Sequence, residues 1–284
     1  MARRNKLVRK LYSILMDFSD QMRKQNISAH AASIAFFFFL SIVPMLITIC
    51  TIIPYTPLTE EDLVMAVTDL TPEIVDPLAE SLISDVYNQS AGILSVALIA
   101  TIWSAAKGVM ALMRGLNAVN DVDEKRNYLF IRGVASLYTV VMLIAVILSL
   151  FFMVFANQLV NLALHRIPNL KRVVGFAMNF RFILVWVILS LLFAAIYTYV
   201  PDAKLSFREQ VPGAVFAAVV WSVFSWGFSL YVTWGNTYGI YGSLSIIIIV
   251  LLWMYFCMYI ILIGACMNKY YNSMDRVITV PGNH

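Results

Sequence analysis

Six long apolar runs decide what this chain can become. They cover about Ala31–Ile53, Gly92–Met113, Gly133–Ala156, Phe180–Val200, Pro212–Trp234 and Gly242–Met267, each near the ~20 residues that carry an α-helix across a bilayer's hydrocarbon. Every backbone N–H and C=O in that hydrocarbon needs an internal partner, so only helices and closed barrels cross it. Runs such as Phe36-Phe37-Phe38-Phe39 and Ile246-Ile247-Ile248-Ile249 lack the two-residue alternation of a membrane barrel. Composition excludes a water-soluble fold: 61% of residues are hydrophobic and 13% charged, against roughly 25% charged in an average soluble domain. The expectation is an all-α integral membrane protein, a single membrane domain over residues 1–284 with six transmembrane helices.

Charge orients the six helices. Fifteen of the 20 Lys and Arg residues fall on one side: Arg3, Arg4, Lys6, Arg9, Lys10, Arg23 and Lys24 before the first span, Arg114, Lys125, Arg126 and Arg132 between the second and third, Lys204 and Arg208 between the fourth and fifth, and Lys269 and Arg276 in the tail at 268–284. Only Arg166, Lys171, Arg172 and Arg181 fall on the other. Basic loops stay in the cytoplasm, so both termini are placed there.

Two segments outside the spans carry patterns of their own. The loop 54–90 has no Lys or Arg and eight acids: Glu60, Glu61, Asp62, Asp69, Glu73, Asp76, Glu80 and Asp85. Thr71-Pro72-Glu73 ahead of an apolar-periodic stretch ending near Tyr87 signals a helix, so the loop reads as a small helical extracytoplasmic cap. Its acidity fits a solvated loop obeying charge bias better than a cation funnel. Within residues 1–28, Leu7, Leu11, Leu15, Phe18 and Met22 recur at helical spacing opposite Arg9, Lys10, Asp17 and Lys24. That pattern predicts an amphipathic helix on the cytoplasmic leaflet. A cleavable signal peptide is not expected, because some twenty mixed residues separate the basic cluster from the first apolar run.

One charge stands inside a span. Trp103-Ser104-Ala105-Ala106-Lys107 sets a lysine six residues short of the predicted end of the second helix. An ammonium in hydrocarbon must snorkel, pair or face a wet cavity, and ~9 Å of remaining helix rise leaves snorkelling open. Stepping by four and three, Trp103, Lys107, Met110, Arg114, Asn117 and Asp121 share one helical face. Ser104, Gly108, Ala111 and Gly115 form an adjoining seam of small residues that admits a close neighbour. Lys107 and Trp103 are the leading substrate-path candidates; Arg114 and Asn117, nearer the interface, would orient the loop or meet lipid headgroups. Ser222, Ser225 and Ser229 run beside Trp221 and Trp226 on the fifth helix, and Trp221 and Ser225 join the path candidates against a plainer packing role. Pro44 would kink the first helix as a hinge or a packing feature. Tyr238-Gly239-Ile240-Tyr241-Gly242 reads as a tight outer turn with interfacial aromatics. Cys50, Cys257 and Cys266 fall in spans and the three histidines are scattered, so neither a metal site nor a cofactor is expected.

Several of these stretches together resemble the YihY/BrkB family of bacterial inner-membrane proteins, once labelled ribonuclease BN-like. The likeness rests on Ala31-Ala32-Ser33-Ile34-Ala35-Phe36 to Leu40-Ser41-Ile42-Val43-Pro44, on Trp103-Ser104-Ala105-Ala106-Lys107-Gly108-Val109 with Gly115-Leu116-Asn117, and on Leu205-Ser206-Phe207-Arg208-Glu209-Gln210-Val211-Pro212-Gly213-Ala214. It continues in Tyr241-Gly242-Ser243-Leu244 and Leu251-Leu252-Trp253-Met254-Tyr255. The resemblance implies six helices with both termini inside, in a bacterial plasma membrane, and places Trp103, Lys107, Asn117, Pro212, Gly213, Tyr241 and Gly242 on motif positions. The family's usual Gly-Ala-Glu near the end of the last helix is Gly264-Ala265-Cys266 in this chain, so a mechanism using that carboxylate is not carried over.

The leading expectation is a transporter or flippase-like protein moving an amphipathic, lipid-related or anionic molecule, with membrane lipids around it and no nucleic acid. Pro44, Gly108, Pro212, Gly213 and Gly242 are its hinge or packing positions. A non-transporting envelope scaffold or assembly factor is the alternative. A ribonuclease is the least supported, since Asp121, Asp123 and Glu124, mixed with Lys125 and Arg126, read more simply as a solvated turn than as a metal-binding or acid–base cluster. Small-residue seams suit a lone bundle and a symmetric oligomer equally.

Overall fold

The computed structural model describes Tyr12, residues 16–52, isolated positions between 59 and 68, and residues 76–87, 91–166, 181–234 and 243–279. Gly242 and most of the acidic loop lie outside these. After a helical segment at 16–24 come α1 (Ile27–Ile52), α2 (Asp76–Tyr87), α3 (Ala91–Val119), α4 (Tyr128–Arg166), α5 (Arg181–Tyr199), α6 (Phe207–Trp234) and α7 (Ser243–Thr279). No strand occurs among the described residues. Among the described residues five helices are long and apolar enough to cross a bilayer, in α1, α3, α4, α6 and α7. The predicted fourth span, Phe180–Val200, appears as a shorter apolar helix at Val185–Tyr199.

The described helices continue past three of the predicted span ends, α4 running to Arg166 rather than Ala156. The second span was expected to stop near Met113, but α3 runs on to Val119. Its stop is set locally. Asp121 takes a left-handed φ of 52°, its N–H donates to the Ala118 carbonyl at 3.2 Å, and the Val122 N–H reaches back to Asn117 at 3.0 Å. This is a Schellman ending with Asp in the place usually held by Gly. Asn127 then caps α4, its Oδ1 accepting the Leu129 N–H at 3.2 Å. The last helix, expected to end at Met267, continues to Thr279.

Contacts at one end of the bundle show that α1, α3, α4, α5, α6 and α7 alternate in direction. Ile27, Val119, Val200, Ala214 and Cys266 all belong to one buried cluster, at what is called here the inner end. α3 is the central helix: half of its span is buried, against 17–28% for the other four. α1 packs on it most extensively and α4 also lies against it, while α7 packs on α1, α6 on α7 and α5 on α6. α2 packs against α1 and buries Ile83.

Two apolar positions of the N-terminal segment touch the rest of the protein. Phe18 and Met22, each partly buried, pack against the core, and the Phe18 ring meets Tyr270 edge-on at 5.9 Å. Leu7, Leu11 and Leu15 lie outside the described residues. Asn26, at φ 50°, turns the chain into α1.

Candidate functional site: the central helix and its inner-end ties

Gly108 and Gly115 set how closely α1 approaches α3. A Cβ at Gly108 would meet the Phe38 ring at 3.0 Å, and one at Gly115 would meet Leu262 at 3.3 Å and His30 at 3.4 Å. Further out, the hydroxyls of Thr48 and Thr101 meet at 2.9 Å across the same interface. Thr48 can also donate to the Pro44 carbonyl at 2.9 Å. Pro44 therefore sits one turn from a polar tie between the two helices.

The predicted single polar face of α3 divides in two. Trp103, Lys107 and Arg114 are exposed, whereas Met110 and Asn117 are buried. Asp121 lies beyond the helix end. The Lys107 Nζ stands 5.8 Å from the centroid of the Phe37 ring of α1. From α4, Arg132 lays its guanidinium over the Trp103 ring at 4.2 Å, donates to the Trp103 carbonyl at 2.9 Å and touches the Met110 sulfur at 3.6 Å. Among the described residues no carboxylate pairs with Lys107, Arg114 or Arg132. Arg132 was read from sequence only as a topological charge. The signal that marked it was its place at the mouth of an apolar run, one turn into α4.

Asn117 has a different task. Only 3% exposed, it donates from Nδ2 to Glu124 at 2.8 Å and accepts the Asp202 backbone N–H at Oδ1 at 2.8 Å. Arg126 closes the group with two 2.7 Å bonds to Glu124 and an approach of 3.6 Å to Asp202. One amide thus clasps the α3–α4 connection to the α5–α6 connection. The Arg126 guanidinium holds the Glu124 carboxyl below the usual range, and Glu124 in turn raises Arg126.

Two further ties close the inner end. Gln25 donates to the Val119 carbonyl at 3.0 Å and to Asp121 at 3.3 Å, while Lys269 of α7 binds the same carboxylate. That bond lowers the Asp121 carboxyl, with Gln25 adding to it. Buried Asn268 accepts the Gly213 N–H at 2.6 Å and donates to Gln210 at 2.9 and 3.1 Å. Gly213 and Gly264 let α6 and α7 touch backbone to backbone. A Cβ on Gly264 would meet the Gly213 carbonyl oxygen at 2.7 Å and the Tyr197 hydroxyl at 2.6 Å. Tyr197 donates to the Ile261 carbonyl at 2.6 Å, which brings α5 into the same crossing. Pro212, six residues into α6, lacks the N–H that a helix interior would use. Of these, Gln25 and Asn268 have no role in the sequence reading, and no local pattern marks either.

Trp221 and Ser225 sit elsewhere, on α6. Trp221 faces Trp253 of α7 at 6.3 Å, and the buried Ser225 hydroxyl has no hydrogen-bond partner among the described residues. No hydrogen bond, ion pair or ring contact joins either to Lys107.

Long apolar helices alternating in direction, a belt of exposed aliphatic and aromatic side chains and a polar-tied inner end define a multi-pass α-helical membrane protein. The sequence profile of a family described as virulence factor BrkB matches residues 18–279, and the chain belongs to that family. A protein of Bacillus subtilis (strain 168) named as ribonuclease-like, YfkH, is 32% identical over 249 residues, covering 87% of this chain and 90% of that one. A UPF0761 membrane protein of Alkalilimnicola ehrlichii is 25% identical over 252 residues, 87% of this chain and 55% of its own length. One from Vibrio vulnificus (strain YJ016) is 40% identical over 81 residues, 28% of this chain and 26% of the relative. No solved structure gives a significant match.

Proposed function

We propose that this protein is a flippase-like transporter of the bacterial plasma membrane, crossing it six times with both termini cytoplasmic and moving an amphipathic, anionic, lipid-related molecule past Lys107. The observation that carries this reading is an exposed lysine on the central helix, with an arginine from the next helix against Trp103 one turn away and, among the described residues, no carboxylate paired with either. Cations retained within apolar spans are costly, and function is the default reason for keeping them. The alternating helix directions support the even number of crossings. Reconstituted vesicles test the idea: Lys107→Ala should abolish flux of the labelled substrate while the protein stays folded. Undiminished flux would refute the role given to Lys107.

A scaffold or assembly factor is the second reading, favoured by the N-terminal segment that docks through Phe18 and Met22. It expects a fixed set of co-purifying partners and no flux, with deletion of residues 1–24 costing more than any change at Lys107. Nuclease action, suggested by the name of the Bacillus relative, ranks last. Asp121 and Glu124 are each held by a cation, Lys269 and Arg126, as structural ties. Single-strand cleavage by pure protein, lost in Asp123→Ala, would restore it.

A further inference from the structure

The exposed face of α3 changes character along its length. Val96 and Ile99 are exposed and apolar, Trp103 follows, and then come Lys107 and Arg114. Val96 stands near the outer end of the apolar span Ser95–Val119 and Lys107 well inside it, with about 17 Å of helix rise between them. A phospholipid laid along that stripe has the same order, acyl chains toward Val96 and phosphate toward the inner end. Trp103 lies between the two, its ring against Arg132. α1 and α4 both pack on α3, and each brings something to the cationic end. α1 presents Phe37 to Lys107, and α4 presents Arg132, fixed in place by the Trp103 ring and carbonyl. An arginine held that way is preorganised for a planar anion.

We propose that this face holds an anionic phospholipid, its phosphate diester between Lys107 and Arg132 and its acyl chains along Ile99 and Val96. The transport reading supplies only the statement that this lipid is cargo; occupancy is measurable without flux. Charge complementarity favours a lipid over a protein partner: among the described residues no carboxylate pairs with either cation, and Phe36 and Leu40 of α1 and Leu129 and Phe130 of α4 are exposed and apolar.

The full chain in phosphatidylcholine nanodiscs, probed with spin-labelled phosphatidylglycerol against spin-labelled phosphatidylcholine, tests this. Wild type should immobilise the anionic probe preferentially. Lys107→Gln and Arg132→Gln should each lower that preference about fivefold, while Lys125→Gln, an exposed charge in the α3–α4 connection, leaves it unchanged. No preference in wild type overturns the site, whatever the variants do. Release of the probe by millimolar inorganic phosphate also overturns it, because the ligand is then a free anion. Preference without flux leaves the site standing and removes the cargo reading; flux without preference removes the site.

Discussion

α6 and α7 meet twice, and the two meetings differ. At the inner end their backbones touch through Gly213 and Gly264, with Ala214, Ala217, Ala218 and Ala265 buried around them and Asn268 bridging the helices. Toward the outer end the same helices present Trp221 to Trp253 and expose Val223, Trp226, Tyr231, Ile247 and Ile248. Lipid is as apolar as these side chains, so the hydrophobic effect does not draw helices together within it. Close packing of small residues and hydrogen bonds must do that work instead. Both are concentrated at the inner end, where the polar ties also lie, so the fold's stability is expected to reside there.

The sharpest test of that contrast uses two glycines of one helix. Gly213→Ala puts a methyl into the Gly264 carbonyl, a rigid neighbour, and should cost about 3 kcal/mol or more; loss of the monodisperse, cooperatively melting species in detergent would show it. A normal melt would mean that the inner crossing is looser than described. Next in size is Asn117→Ala, which leaves Glu124 and the Asp202 N–H short of a partner. It should cost about 1–3 kcal/mol and raise proteolytic cutting in the α3–α4 and α5–α6 connections.

A smaller effect comes with acid. The carboxyls of Asp121 and Glu124 lie below their ordinary values of 3.8 and 4.5, chiefly through Lys269 and Arg126. The unfolded chain therefore binds these protons more readily, and stability rises with pH across the window. Their contribution should be whole above about pH 4.5 and fade as pH falls through the lowered folded values. Apparent melting temperature followed from pH 6 downward should fall less steeply in the Asp121→Asn, Glu124→Gln double variant; equal slopes would remove these ties from the stability account. Smallest of all is Gly227→Ala, where a Cβ meets nothing within 4 Å. Its melt should stay within ~1 kcal/mol of wild type, on the stabilising side, and a large loss there would erase the distinction between the two ends.

How much of this was legible beforehand depends on the range of the interactions involved. Hydropathy is summed over neighbours in the chain, so the apolar runs and their helical nature could be read directly. Helix ends were less legible because caps decide them: the Schellman turn at Asp121 carries α3 past Met113, with no Gly to announce it. Helical spacing alone could not say that Asn117 faces inward while Trp103 and Lys107 face out, or that Asp121 lies past the helix end. Gln25 binds a carbonyl 94 positions away and Asn268 an amide 55 away. Nothing local marks such pairs.

The sequence by itself determined that this chain is a helical membrane protein, because a bilayer accepts an apolar run of this length only as a hydrogen-bonded helix. Tertiary structure decided which polar residues are ties and which are free. That choice depends on where two distant helices cross, and on whether an amide or a cation at the crossing finds a partner before it meets lipid or water.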